Sequence, residues 1–295
     1  MSRAPRWDVE GRDWPNRAHS RFVTSGRLRW HVQVMGPQDG VAPTLLLLHG
    51  TGAATHSWRA LAPALADHYT VVMPDLPGHG FTSGRPAGGL TMRAMARELG
   101  TLLDLLDMRP HGIIGHSAGA AIAIRMVIDD VVKPVAIVGI GAALLPFPGL
   151  AAKLFPTLAR MLFVNPLAPH LFARLAQTSG ETARFLMRST GSRIDAEGVS
   201  LYTRLLATPG HCAGAITMMA DWDLGALQRD LPRLTVPLLL VHGGGDAAIP
   251  LSSARAAAAM IDGATVMPIA GLGHLAHEER PGEVATIIRQ FMEEH

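Results

Sequence analysis

Gly115-His116-Ser117-Ala118-Gly119 is the stretch whose reading decides the fold. Ile113 and Ile114 before it read as the end of a buried strand, and Ala118 to Ile128 after it, nearly all small or aliphatic, read as a buried helix. A serine at a tight strand-to-helix turn is forced into a strained backbone conformation, with its hydroxyl clear of the sheet edge. The flanking glycines remove side chains that would collide with the neighbouring strand and helix. The pentapeptide alone is weak evidence. Its surroundings and three partners elsewhere in the chain make it strong.

The first partner lies upstream. Thr44 to Leu48 is an apolar run that ends in His49-Gly50-Thr51-Gly52. A continuous run of this length suits a strand buried on both faces of a parallel sheet. The glycine-rich loop after it lets backbone N–H groups approach a ligand. Acyl transfer needs two such donors facing the oxygen that becomes negative, and the N–H groups of Thr51 and Ala118 are assigned that role. The other two partners follow in the order Asp, then His. Val236 to Val241 reads as a strand leading into a glycine-rich loop with Asp246, and Thr265 to Ile269 as a strand leading to Gly271-Leu272-Gly273-His274. A serine hydroxyl does not ionise unaided. His274 would take its proton, and Asp246 would fix the imidazole tautomer and stabilise the imidazolium. In isolation, Asp246 reads as a turn cap and His274 as a helix cap. Together and in order with Ser117 they read as a triad.

Composition agrees with a large α/β core. The 295 residues are 48% hydrophobic and 17% charged, which excludes a disordered chain. A formal charge of +2 does not imply nucleic acid, although the isoelectric point is near 9.1. Seven arginines fall between Arg3 and Arg29, diluted by Asp8, Glu10 and Asp13, and the stretch reads as a solvated lead-in. Cys212 is the only cysteine, so a reducing, cytoplasmic setting fits. No apolar core follows the first arginines, which argues against a secretory signal. Val135 to Ala152 is apolar, but Pro146 and Pro148 break it as a membrane span. Peripheral contact with a membrane stays open.

The rest of the chain alternates strand and helix. Leu28 to Val34 reads as an edge strand. Then come strand 44–48, helix 60–68, strand 70–73, helix 91–107, strand 111–114, helix 118–129 and strand 135–140. Strand 236–241, helix 252–261, strand 265–269 and helix 281–292 resume the pattern after an interruption. This is a mostly parallel sheet with helices on both faces. The interruption has helical patterns only, such as Leu150 to Phe163 and Ala196 to Ala207, divided by prolines, and reads as a helical cap over the sheet edge. The expected organisation is a lead-in over 1–20, a core over 21–145, the cap over 146–234 and the rest of the core over 235–295. The cap is rich in Leu, Phe and Met. Most of these residues are expected to pack on the core, and the remainder to line an apolar pocket.

Gly50, Trp58, His116, Phe147 and Trp222 are the candidate substrate-binding residues, with core packing equally open for both tryptophans. Asp75 and His79 are expected to hold a turn near the pocket. His274 and His277 with Glu278 superficially suggest metal ligands. The triad accounts for His274 and capping of the last helix for the other two, so neither a metal nor a cofactor is expected.

His49-Gly50-Thr51-Gly52, Asp75 to Gly80, the serine pentapeptide, the Asp246 loop and Gly271 to His274 together resemble the α/β-hydrolase family over residues 20–295. Within it, His49 to Trp58, Asp75 to Thr82, Gly115 to Ile122 and Gly271 to Pro281 are similar to the magnesium-chelatase accessory family (BchO type) of bacteriochlorophyll biosynthesis. Thr190 to Arg193 and Pro209 to His211 in the cap belong to the same likeness. The resemblance implies work near magnesium insertion into protoporphyrin and transient contact with chelatase subunits. A flat apolar substrate such as a porphyrin follows, with Arg160, Arg174, Arg188 and Arg193 available to its propionates. Three readings stay open: a serine hydrolase of an ester or related acyl bond, a non-catalytic porphyrin carrier or chelatase partner, and a cofactor-free peroxidase or carbon–carbon bond hydrolase.

Overall fold

The apolar runs pair into one eight-stranded sheet in the computed structural model, which describes residues 3–38, 40–146, 165, 167–178 and 180–295. In chain order the strands are β1 (Ser20–Ser25), β2 (Leu28–Met35), β3 (Thr44–Leu48), β4 (Thr70–Pro74), β5 (Pro110–His116), β6 (Ala136–Ile140), β7 (Leu238–Gly243) and β8 (Ala264–Ile269). Their spatial order is β1-β2-β4-β3-β5-β6-β7-β8. Every pair from β4 to β8 is parallel, and β1 and β2 join antiparallel at one edge.

The period of two along each strand splits the core into two layers. Leu46, Leu48, Val72, Ile113, Leu238 and Leu240 pack on one face, with helices α2 (Met92–Leu105) and α3 (Ala118–Ile128). Leu45, Leu47, Val71, Met73, Ile114 and Val241 pack on the other, with α1 (Leu61–Ala66) and the last helix (Pro281–Glu293). Burying both faces is why these strands read as unbroken apolar runs. Each fully enclosed leucine contributes on the order of 2 kcal/mol from removed apolar surface.

Two expectations are corrected. Leu28 to Val34 is not the edge strand, because β1 lies outside β2 in register from Ser20 opposite Gln33 to Ser25 opposite Leu28. Phe22 and Val23 are diluted among Ser, Arg and Thr, and β1 is largely half-exposed, so it leaves no clean alternation to read. Nor is residue 3 onward a solvated lead-in. The arginines stay exposed, but Trp14 is buried and donates its indole N–H to Thr55 Oγ1 at 2.9 Å. The Arg3 carbonyl accepts from Gly210 N at 2.7 Å, and Asp13 pairs with Arg204 at 2.6 Å. This stretch packs against the segment between β6 and β7.

That segment contains helices and no strand among the described residues. They are α4 (Ala168–Ala176), α5 (Glu181–Thr190), α6 (Ala196–Leu206), α7 (Pro209–Asp221) and α8 (Leu224–Asp230). Buried Arg125 of α3 ties the end of the segment to the core, pairing with Asp230 at 2.8 Å and with Asp129 at 3.0 Å. No described helix is long and apolar enough to cross a membrane.

Candidate active site

Ser117 lies between the end of β5 and the start of α3 with φ 51 and ψ −112, a left-handed conformation that a non-glycine residue rarely adopts. The turn is over-determined. Ser117 N–H donates to the Ile140 carbonyl at 2.9 Å, and the Ser117 carbonyl accepts from Ala120 N and Ala143 N, both at 3.2 Å. A β-carbon at Gly119 would overlap the Leu48 carbonyl of β3, and one at Gly115 would overlap Ala120 of α3. The two glycines therefore let strand, turn and helix close on one another, and the Ser117 side chain is left half-exposed.

Asp246 and His274 come from the loops after β7 and β8. Asp246 Oδ1 accepts from Ala248 N and Ile249 N, both at 2.8 Å, which turns the loop and leaves Oδ2 for His274 Nδ1 at 2.7 Å. With Nδ1 bound to the carboxylate, Nε2 is the nitrogen left to serve as base. The His274 carbonyl accepts from His116 Nε2 at 3.1 Å, and the two rings stand 4.8 Å apart. A β-carbon on Gly141, next to the Ile140 that holds Ser117 N–H, would lie 2.8 Å from His274 Nδ1. These contacts bring the imidazole and the serine turn to the same edge of the sheet, beyond the carboxyl ends of its parallel strands.

The loop after β3 closes the third side. A β-carbon on Gly50 would fall 3.1 Å from Ser117 Cβ and 2.8 Å from His116 Nδ1, so glycine here is a condition of the approach. His49 fixes the loop by bonding the Gly50 carbonyl through Nδ1 at 2.8 Å and accepting Leu76 N through Nε2 at 2.9 Å. Burial lowers the pKa of that imidazole. The Thr51 hydroxyl points to Met218 Sδ at 3.6 Å, and neither Thr51 N–H nor Ala118 N–H donates to an acceptor among the described residues.

Asp75 holds the neighbouring turn, as expected. It is fully buried and accepts from Thr55 N at 2.7 Å, Phe81 N at 2.8 Å and His31 Nδ1 at 2.7 Å. Burial opposes its ionisation, but His31 and these donors outweigh burial and hold the carboxyl far below the usual range. His211, at the start of α7, accepts Gly80 N at 3.1 Å and bonds the Gly52 carbonyl at 3.0 Å, fastening the helical segment between β6 and β7 to two core loops. Burial presses its pKa down to about 4.

Trp58 takes the core-packing side of its two readings, and the capping role expected of His277 and Glu278 is corrected. Trp58 is fully enclosed in the core against His277, ring centroids 4.7 Å apart, and reaches no accessible surface. His277 and Glu278 do not cap the last helix. They lie in the short helix Ala276–Glu279, where His277 stacks between Trp58 and His116. Glu278 pairs with Arg59 and accepts the Tyr202 hydroxyl of α6 at 2.9 Å, while Arg59 also pairs with Asp195 at 2.8 Å. Burial pushes the Glu278 carboxyl up to about 7, although Arg59 and Tyr202 both favour its charged form. Among the described residues no three His, Cys, Asp or Glu side chains form a metal-binding group. Trp222 is half-buried against the core at the end of α7. Phe147, Arg160 and the helix expected over Leu150 to Phe163 fall outside the described residues. Arg174, Arg188 and Arg193 are exposed. Sequence reasoning missed Arg59, Tyr202 and Glu279, polar groups with no motif spacing of their own.

The family model described as alpha/beta hydrolase fold matches residues 43–281. The chain is 40% identical over 281 residues to the magnesium-chelatase 30 kDa subunit of Rhodobacter capsulatus, covering 95% of this chain and 97% of that protein. It is 28% identical to the pyrrolizixenacetamide deacetylase of Xenorhabdus hominickii, covering 86% of this chain and 92% of the relative. Among solved structures, the enol-lactonase of Burkholderia xenovorans superposes with a TM-score of 0.75 at 18% identity, over 92% of this chain and 100% of that one. That likeness is one of fold.

Proposed function

The chain belongs to the α/β-hydrolase fold family, and from that premise we propose that it is a serine hydrolase cleaving an ester or related acyl bond in an apolar substrate. The observation that carries the reading is the 2.7 Å bond from His274 Nδ1 to Asp246, on a loop held by the residue next to Ser117. Ser117 Oγ attacks the acyl carbon while His274 Nε2 takes the hydroxyl proton, and Asp246 stabilises the imidazolium. The N–H groups of Thr51 and Ala118 stabilise the oxyanion. The imidazolium then gives its proton to the leaving group. Water, deprotonated by the same nitrogen, hydrolyses the acyl-serine and regenerates the hydroxyl.

The 40% identity to a magnesium-chelatase subunit supports placing this reaction near magnesium insertion, on a tetrapyrrole-sized substrate and in transient contact with chelatase subunits, and the single Cys212 fits a reducing, cytoplasmic setting. The same relative favours a second reading, a porphyrin-binding accessory protein without turnover. A fluorophosphonate probe separates the two. Native protein should be labelled and Ser117→Ala should not, and that substitution should lower any ester turnover by roughly four to six orders of magnitude. Folded native protein that stays unlabelled at neutral pH would transfer the argument to the accessory reading. Fluorescence-quenching titrations with protoporphyrin, its magnesium form and a long-chain ester then compare substrate classes.

A further inference from the structure

Three consecutive backbone N–H groups of the histidine loop are bonded, two of them to the cap. Gly273 N donates to Glu279 Oε2 at 2.7 Å, His274 N to the Thr190 carbonyl at 2.8 Å, and Leu275 N to Ser192 Oγ at 2.8 Å. The Thr190 carbonyl also accepts from Ala247 N at 3.3 Å, one residue past the acid. A single carbonyl at the end of α5 thus bridges the two loops that carry Asp246 and His274. The Ser192 hydroxyl donates a hydrogen bond to Glu279 Oε2 at 3.0 Å, and Arg193 N donates to Oε1 of the same carboxylate at 2.8 Å.

The backbones meet too closely for side chains. Gly191 has φ 70, and a β-carbon on it would overlap the Gly245 carbonyl. A β-carbon on Gly273 would overlap Ser192 Oγ. The glycines around Asp246 and His274 therefore admit the cap peptide as well as shaping the loops. They also make those loops soft, because glycine leaves many backbone conformations open. The two loops also touch directly, Gly245 N donating to the Leu272 carbonyl at 2.8 Å, and the cap peptide braces this pair from outside.

We propose that Thr190–Ser192 is a positioning element of the triad, a cap peptide wedged between the acid loop and the histidine loop that sets the separation of Asp246 from His274. A ligand that displaces α5 would move this wedge and change the base, so occupancy under the cap is coupled to the chemistry. The catalytic consequence rests on the serine-hydrolase reading, whereas the geometric claim does not.

Proton NMR tests the geometry and fluorophosphonate labelling tests the consequence. Native protein should show a proton far downfield of the amides from His274 Nδ1–H, absent in Asp246→Asn. Ser192→Ala removes the acceptor of Leu275 N, and Gly191→Ala forces the wedge out. Both should broaden or abolish that resonance and slow labelling by roughly ten- to a hundredfold, with the maximal labelling rate falling while the probe concentration at half-maximal rate holds. Ser189→Ala should change neither readout, since its hydroxyl bonds only carbonyls of its own helix. An unchanged resonance and labelling rate in folded Ser192→Ala or Gly191→Ala would overturn the proposal. Native protein that never labels, with the resonance still responding as stated, would sustain the wedge and remove the hydrolase reading.

Discussion

Helix α3, behind the serine, and helix α4, in the cap, are both apolar, yet they are used in opposite ways. In α3 every residue but Val127 is buried, large and small alike. In α4 the small residues Ala168, Pro169, Ala173 and Ala176 are buried, while Leu171, Phe172 and Leu175 face outward at 60%, 41% and 50% exposure. The core is therefore organised by apolar volume between two faces of a sheet. The segment between β6 and β7 also buries Leu201, Leu205, Met218 and Leu227 in core clusters, and adds particular polar and glycine contacts: Thr190–Arg193 with the loops after β7 and β8, Arg59 with Asp195, and His211 with two core loops. Hydrophobic content alone does not say which kind of packing a segment will have.

The comparison can be pressed at four points. The largest effect is expected at Asp246, the acid of the proposed triad. Asp246→Asn should cost on the order of 10⁴ in turnover by favouring the wrong imidazole tautomer. Asp221→Asn and Asp223→Asn should cost far less, because Asp221 accepts Leu90 N at 2.9 Å and Asp223 caps Ala226 N at 2.8 Å. A comparable rate loss from either cap residue would relocate the acid. Next comes Leu46→Ala, in the fully enclosed centre of the sheet, which should lower the unfolding free energy by about 3 kcal/mol in denaturant titrations.

The third point is the boundary between the regions, where buried Glu278 joins core to cap. Its carboxyl titrates about 7 when folded and near the usual value of 4.5 when unfolded. Between those values the folded state binds more protons than the unfolded one, so stability contributed by this group falls as pH rises through that window. The loss should be on the order of 1–3 kcal/mol by about pH 8. Glu278→Gln should flatten this part of the unfolding profile; a profile identical to that of the native protein would show that the boundary does not titrate. The smallest effect belongs to the outer cap. Leu171→Ala should change stability by less than about 0.5 kcal/mol, since its side chain is already in water. A core-like loss there would mean that the outer face is covered in solution.

Much of the site was readable because motif and secondary structure coincide. Ser117 and Asp246 each follow a strand buried on both faces, which leaves an unbroken apolar signature ending at the loop that matters, and His274 follows β8. The last of these runs is weaker, because β8 is an edge with mostly half-exposed or exposed residues. Trp58 and His116 were harder to assign. Both look like pocket residues from their place beside motifs, but a neighbouring motif says nothing about which way a ring turns. One is sealed in the core, and the other spends its Nε2 on the His274 carbonyl. The edge strand β1 was missed because half-exposed strands need no apolar alternation when a neighbour supplies the ladder.

By itself the sequence determined the alternation of strand and helix, the order serine, acid, histidine, and the places where only glycine would fit. These are local properties, written in periodicity and in residues without a β-carbon. Only the tertiary structure decided that Trp14 packs against Leu201 and Leu205, that Glu278 is buried between Arg59 and Tyr202, and that one carbonyl, that of Thr190, accepts from Ala247 N and His274 N, in the loops after β7 and β8. Such contacts join segments distant in sequence through backbone groups that every residue carries. A backbone carbonyl has no letter in the sequence, so its role appears only once the chain has folded.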